Sequence, residues 1–206
     1  PSAKIKPMSV VNESRDTTHY SIIDSEGNAV SNTYTLGYSF GSGVTIPGTG
    51  ILMNNQMNNF AYRYGDTSVS GRAASPANKF EAGKRPMSTM TPTMVFNQSG
   101  ELTLVTGSPG GSFIPAAVLR VVSGIIDFNL NIGEATMLPR IHKDWPYSGL
   151  DHESILSSDI SRQLGIMGHQ PESQKTMGST QSIHIKNGIN YGYADLRRPG
   201  AAVSIQ

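Results

Sequence analysis

The chain has 206 residues, 37% hydrophobic and 15% charged, with a formal net charge of +1. It is too apolar for a disordered tail, and so small a charge gives no field to gather nucleic acid or an anionic membrane surface. No apolar run reaches the ~18–20 residues of a membrane-spanning helix. The chain has no cysteine, which removes disulfides, thiolate nucleophiles and Cys-ligated metals while leaving either redox compartment open.

The sequence opens at Pro1 without a charged segment leading into an apolar core, so it reads as a piece of a longer product. Residues 1–16 carry two prolines, mixed charge and no period, the pattern of a linker or tail. From Thr17 the pattern changes. His19–Asp24 and Asn28–Leu36 alternate apolar and polar residues around Ser25-Glu26-Gly27, which predicts a hairpin. A Gly/Ser/Pro-punctuated loop, Ser39–Gly50, leads through Ile51–Met53 to an amide-rich stretch over 54–59. Residues 61–86 read as a long surface loop, and loops of that length are usually functional or mobile. Thr93–Asn97 and Glu101–Thr106 predict a second hairpin around Gln98-Ser99-Gly100.

Next comes the clearest helix. Ile114, Ala117, Val118, Val121, Val122, Ile125 and Ile126 recur with helical spacing, behind the turn Gly107–Gly111 and with Ser112 as a candidate N-cap. Shorter helices are expected over 132–138, stopped by Pro139, and near 158–166. Strands over Gln181–Lys186 and Tyr191–Asp195 meet across Asn187-Gly188, a strong hairpin turn, and Ala201–Ile205 offers a last strand. Hairpins flanking a block of helices predict an α+β protein with antiparallel sheets.

Chemistry can sit in few places. A threonine hydroxyl needs an adjacent base, and its own α-amine, of pKa ~8, serves only when Thr is the first residue. Cleavage between Asp16 and Thr17 would create that amine, although Thr-rich strand starts are also common without function. The turn Gly107-Ser108-Pro109-Gly110-Gly111-Ser112 presents backbone N–H groups at a helix start, suited to a developing oxyanion or to nothing more than a tight turn. It is not a phosphate loop, since no Gly-Lys-Ser/Thr follows. The amides at 54–59 offer neutral donors and acceptors, or simply a solvated loop. Histidines 19, 142, 152, 169 and 184 lack metal-ligand spacing, and Trp145 and the methionines 87, 90 and 94 read as packing residues.

Taken jointly, the segments Thr17-Thr18-His19-Tyr20-Ser21, Thr33-Tyr34-Thr35-Leu36, Asn54-Asn55-Gln56-Met57, Lys84-Arg85-Pro86-Met87-Ser88, Thr106–Ser112, Glu134-Ala135-Thr136, Pro139-Arg140 and Met177–Ser182 resemble the small subunit of the γ-glutamyltranspeptidase family. The resemblance implies a four-layer αββα N-terminal nucleophile hydrolase, made as a precursor that cuts itself at Asp16–Thr17. It implies a linker or large-subunit tail over 1–16 and a small catalytic subunit over 17–206. Thr17 would be the nucleophile, Thr35 its positioning partner, and Gly110 and Gly111 the oxyanion hole, where one donor is worth ~3–4 kcal/mol. Ser88 and Thr89 would hold the substrate α-carboxylate, Gln56 and position 59 the α-amino end, with Gly37 near the glutamyl group and Asn55 a further substrate-binding residue. The implied partners are the large subunit, a γ-glutamyl amide such as glutathione, and water or an amino acid or peptide acceptor. No cofactor and no nucleic acid are implied, and the family habit is periplasmic or extracellular.

Three departures bear on specificity. Gly37 stands where the family usually has asparagine, so no side chain donates there. Asn59 stands for the aspartate that pairs with the α-ammonium, and Thr89 for a serine. A lid tyrosine position falls near Ser70, with Tyr62 or Tyr64 as substitutes. A charge-assisted hydrogen bond is worth ~1.5–3 kcal/mol against ~1 for a neutral one, so the Asn59 change favours an acyl group without an ammonium. A glutaryl-type cephalosporin acylase or another γ-linked amidase is therefore the alternative enzyme, and a non-catalytic homologue the alternative of another class.

Overall fold

The computed structural model describes residues 17–61, 76–144, 149–174 and 176–205. The expected linker with Asp16, the candidate lid residues Tyr62, Tyr64 and Ser70, and Trp145 lie outside the described residues.

The elements in chain order are β1 (Thr17–Ile23), β2 (Ala29–Thr35), β3 (Thr93–Phe96), β4 (Leu102–Thr106), α1 (Ile114–Ile126) and α2 (Ile132–Met137). There follow β5 (Ile141–His142), β6 (Gly149–Glu153), α3 (Ser158–Ile166), β7 (Gln170–Gln174), β8 (Gln181–Lys186) and β9 (Ile189–Ala194). They form a two-stranded sheet β1-β2, a four-stranded sheet β3-β4-β8-β9 and a three-stranded sheet β5-β6-β7.

The first hairpin forms because its turn is closed from within. Asp24 Oδ1 accepts from the backbone N–H of Glu26 at 2.9 Å and of Asn28 at 2.8 Å. Register then runs from Ile23 opposite Ala29 to Thr17 opposite Thr35. Alternation turns the odd-numbered residues inward, burying Thr17, His19 and Thr33 and leaving Tyr20, Ile22, Val30 and Tyr34 outside. The inner face is tied to the four-stranded sheet by Ser21 Oγ donating to Gln181 O at 2.8 Å and Ser31 Oγ donating to Thr106 O at 2.9 Å.

On the other side of the four-stranded sheet, Leu104 of β4 packs with Val121 of α1 and with Ile132 and Ala135 of α2. The described residues thus stack as helices, sheet, hairpin. The α2 helix is set by a capping box, with Asn131 Oδ1 accepting from Glu134 N at 2.9 Å and Glu134 Oε2 accepting from Asn131 N at 3.0 Å. At the second sharp turn Asn187 and Gly188 both have positive φ (53° and 74°), as a two-residue hairpin of this hand needs, so β9 starts at once at Ile189.

Three expectations change. Ser112 is not the cap of α1: residues 111–113 form a 3-10 turn, the cap position is Phe113, and no side chain caps it. The turn bonds Phe113 N to Gly110 O at 3.1 Å, so the helix enters through backbone bonds, with Pro115 in its first turn. Ala201–Ile205 forms no strand. The antiparallel expectation holds for the two sheets that build the site, whereas the third is mixed, with β6 and β7 parallel across α3. The strand sequences Gly149–Glu153 and Gln170–Gln174 have no apolar alternation, so periodicity did not reveal them.

Candidate active site

An open cleft enclosing about 660 Å³ of empty space, partly continuous with solvent, lies where the first hairpin ends against the start of α1. Thr17, Thr35, Gly37, Asn55, Gln56, Asn59, Ser88, Thr89 and Gly111 all line it. Nine residues spread over ninety-five positions of sequence therefore meet in one depression. Gly110 sits one residue behind that lining.

Thr17 and Thr35 are directly opposed at the open end of the hairpin. Gly37 N donates to Thr35 Oγ1 at 2.9 Å, fixing the rotamer of that hydroxyl as the chain turns out of β2. Two residues along the same inward face, His19 is buried. Its Nδ1 lies 2.7 Å from Thr33 Oγ1 and its Nε2 lies 3.1 Å from Ser21 Oγ. Because the Ser21 hydroxyl gives its proton to Gln181 O, it can only accept from His19, which assigns the imidazole proton to Nε2. Burial lowers the His19 pKa to about 4, so the ring is neutral at pH 7. The ring lies flat on Gly107, where an added Cβ would come within 2.2 Å of it.

The turn from Gly107 to Gly111 is held at its other end as well. Gly110 has φ 135° and Gly111 has φ 59°, conformations that L side chains rarely adopt. A Cβ on Gly110 would also meet Gly178 Cα at 2.8 Å. Ser108 Oγ accepts from Ser179 N at 2.8 Å and donates to Pro109 O at 2.6 Å. The segment Met177–Thr180 is therefore a shelf under the turn, and four buried charges hold that shelf. Glu153 takes Arg197 bidentately at 2.6 Å on both oxygens, and Asp195 takes Arg140 at 2.6 Å. For Asp195 burial pushes the carboxyl up, but Arg140 and the backbone donors outweigh it and hold the group below the usual range. Glu153 behaves alike: the burial cost is outweighed by Arg197 and by the N–H groups of Met177 and Arg140.

The opposite wall is neutral. Gln56 Nε2 donates to Thr35 O at 3.1 Å, which turns Gln56 Oε1 toward Asn59, whose Nδ2 donates to it at 2.5 Å. The bare position at Gly37 is not empty space. A Cβ there would fall 1.8 Å from Asn55 Oδ1, which accepts from Tyr38 N at 3.1 Å. The amide of Asn55 thus occupies the space that a side chain at position 37 would take. Ser88 Oγ accepts from Met90 N at 3.1 Å in a local turn.

Sequence reasoning missed several residues here. Tyr38, Asn58, Met87, Met90 and Ile114 complete the lining. Glu153, Asp195 and Arg197 carried no signal, since single charges tens of residues apart have no period or motif. Arg140 entered only through the family resemblance.

Helices packed on a sheet, with a second sheet layered on the far side and a threonine at its strand start facing a glycine turn, define the N-terminal nucleophile hydrolase fold. Solved γ-glutamyltranspeptidases share it: acivicin-inhibited gamma-glutamyltranspeptidase, in which the C-terminus has critical roles in autoprocessing and catalysis, superposes with a TM-score of 0.83 at 41% identity. The match covers 88% of this chain and 98% of that one. The family model for gamma-glutamyltranspeptidase matches residues 1–205, and the chain belongs to that family. It is 44% identical to the glutathione hydrolase proenzyme of Escherichia coli (strain K12) over 96% of its own length. It spans only about a third of that relative, 34%. Cephalosporin acylase from Bacillus halodurans shares 27% identity, with a TM-score of 0.73 over 87% of this chain and 32% of that one. Among the described residues no helix is long and apolar enough to cross a membrane.

Proposed function

We propose that the chain is the catalytic part of a γ-glutamyl hydrolase and transferase that acts on γ-glutamyl amides such as glutathione. The observation that carries this reading is the meeting of Thr17, Thr35 and Gly111 with the amide and hydroxyl residues in one cleft. Thr17 Oγ1 first attacks the Asp16 carbonyl. The acyl group shifts from nitrogen to oxygen, which breaks the C–N bond and frees the Thr17 α-amine, and water then splits the ester, releasing the Asp16 carboxylate and restoring the Thr17 hydroxyl. That amine, directly or through water, then takes the Thr17 hydroxyl proton as Oγ1 attacks the γ-amide carbonyl. The N–H groups of Gly110 and Gly111 stabilise the oxyanion, the C–N bond breaks and the leaving amine takes the proton. Water or an amine acceptor releases the acyl group from the Thr17 ester. Ser88 and Thr89 serve the α-carboxylate, and Gln56, Asn55 and Asn59 the amino end.

The remaining layer of the sandwich falls to a large subunit from the same precursor. Tyr20, Ile22, Val30 and Tyr34 form an exposed apolar strip on the outer face of the first hairpin, the surface such a layer would cover. By family habit the assembled enzyme works in the periplasm or outside the cell. In the full precursor, Thr17→Ala should abolish both chain cleavage and turnover of a γ-glutamyl anilide. Intact-mass measurement of a cleaved Asp16–Thr17 bond in that variant would refute the assignment, and turnover absent from a matured wild type would favour a non-catalytic homologue.

A second reading rests on Asn59, whose amide is already engaged with Gln56 and carries no charge for an ammonium. Together with the likeness to a cephalosporin acylase, it supports a glutaryl-type acylase of the same mechanism. Comparing kcat/KM for glutaryl and γ-glutamyl anilides on the wild type separates the two.

A further inference from the structure

Two charge pairs lie almost wholly out of water beside the cleft. Arg140, Glu153 and Asp195 are 1–2% exposed, and the Arg197 side chain 6%. Burying a charge is costly, and replacing such pairs by apolar residues is often neutral or stabilising, so stability alone does not account for them. Their bonds converge on one short segment. Glu153 Oε1 accepts from Met177 N at 2.9 Å, while Arg140 Nη1 donates to Met177 O at 2.6 Å. A single peptide residue is gripped on both of its polar groups. Asp195 Oδ2 accepts from Thr180 N at 2.9 Å, fixing the far end of the same segment. Between these grips lie Gly178, whose Cα would meet a Cβ on Gly110 at 2.8 Å, and Ser179, whose N–H donates to Ser108 Oγ at 2.8 Å.

None of the four charges lines the cleft, so none touches a substrate there. We infer that the Arg140–Asp195 and Arg197–Glu153 pairs are a positioning device for the oxyanion turn: they hold Met177–Thr180 as a rigid shelf that sets where Gly110 and Gly111 point their N–H groups. The inference rests on the reading of that turn as an oxyanion hole. Donors that are fixed in advance stabilise a developing charge without reorganising, and a shift of a fraction of an ångström forfeits that advantage. A charge pair suits the task, because Glu153 supplies four acceptor positions and all four are filled, by Met177 N, Arg140 N and two nitrogens of Arg197. Glutamine in its place turns an NH₂ group toward one of those donors and releases that grip.

The test is Glu153→Gln in the full precursor, followed in the matured two-chain enzyme with active sites counted by titration. Removal of oxyanion stabilisation predicts a kcat for γ-glutamyl anilide lower by about thirtyfold or more, with KM within about threefold. A glutamate-like γ-boronic acid, which forms a tetrahedral adduct on the nucleophile, should lose affinity by the same factor as kcat, while free glutamate keeps its affinity. A merely structural role would not separate those two ligands. The inference is overturned if kcat per site changes less than twofold, or if boronate and glutamate weaken together. Should Glu153→Gln fail to mature, Ser108→Ala reads the same linkage from the turn side without touching a charge. A kcat lowered about three- to tenfold at constant KM is expected there, and an unchanged kcat overturns the shelf. Thr17→Ala in the same assay reports separately on the nucleophile, so residual turnover in that variant refutes the proposed function and not the shelf.

Discussion

The two walls of the cleft are built on opposite physical plans. The turn wall is made of glycines in left-handed conformations, backed by buried ion pairs and by a neutral histidine ring seated on Gly107. The recognition wall is a chain of neutral amides, Thr35 O to Gln56 to Asn59, half-buried and open to the cleft. On the first wall Ser108, Arg140, Glu153, Asp195 and Arg197 each serve more than one neighbour, so one change disturbs many bonds. On the second each amide serves one or two, and substitution stays local. Under the proposed function, a site arranged this way can change its acyl group while its chemistry stays fixed.

The contrast can be broken by measurement, most severely in the charge cluster. Asp195→Ala leaves Arg140 buried without its counter-ion and should cost about 3–5 kcal/mol of stability, read by denaturant unfolding of the assembled protein. A loss under 1 kcal/mol would show that the wall tolerates local change after all.

His19 gives a smaller effect with a definite pH window. Its folded pKa, about 4, lies below the ordinary 6.5, so the unfolded chain binds a proton first as the solution is acidified. Its contribution is complete above pH 6.5 and is lost as the pH falls toward 4, amounting to about 3 kcal/mol. In His19→Asn this part of the acid dependence should disappear from a pH series of unfolding midpoints. A variant whose midpoints fall as steeply as the wild type over that window would place the acid sensitivity elsewhere.

The smallest change sharpens the recognition wall. Asn59→Asp places a carboxylate against Gln56 Oε1, an arrangement that an ammonium bridging the two would relieve. It should raise the preference for γ-glutamyl over glutaryl anilide, in kcat/KM, by about tenfold with folding intact. No movement in that ratio would mean that position 59 does not sense the acyl amino group.

Much of the turn wall was legible because it is local. Thr17 begins a strand where the pattern changes, and the Gly107–Gly111 turn precedes the strongest apolar period in the chain, which is α1. The Asn187-Gly188 turn announced β8 and β9 by the same kind of short-range chemistry. Ser112 does not cap α1, because a 3-10 turn satisfies the helix start through backbone bonds that no residue type signals. The polar strands β5 to β7 escaped for a related reason: their pairing is set by neighbours in space and not by alternation along the chain. At Gly37 the sequence showed a side chain missing, and only the fold showed Asn55 filling the gap.

By itself the sequence determined what depends on nearest neighbours: the hairpins, the main helix, the threonine strand start and the glycine turn. Backbone preference and apolar period act over a few residues, so they are written in consecutive letters. The tertiary structure decided what needs distant groups brought together. It set Thr17 facing Gly111, the Asn55 amide over Gly37, and Arg140 and Glu153, each paired with a second buried charge, closed around Met177. Such contacts acquire their energy only once water is excluded between them, and no single stretch of sequence excludes water alone.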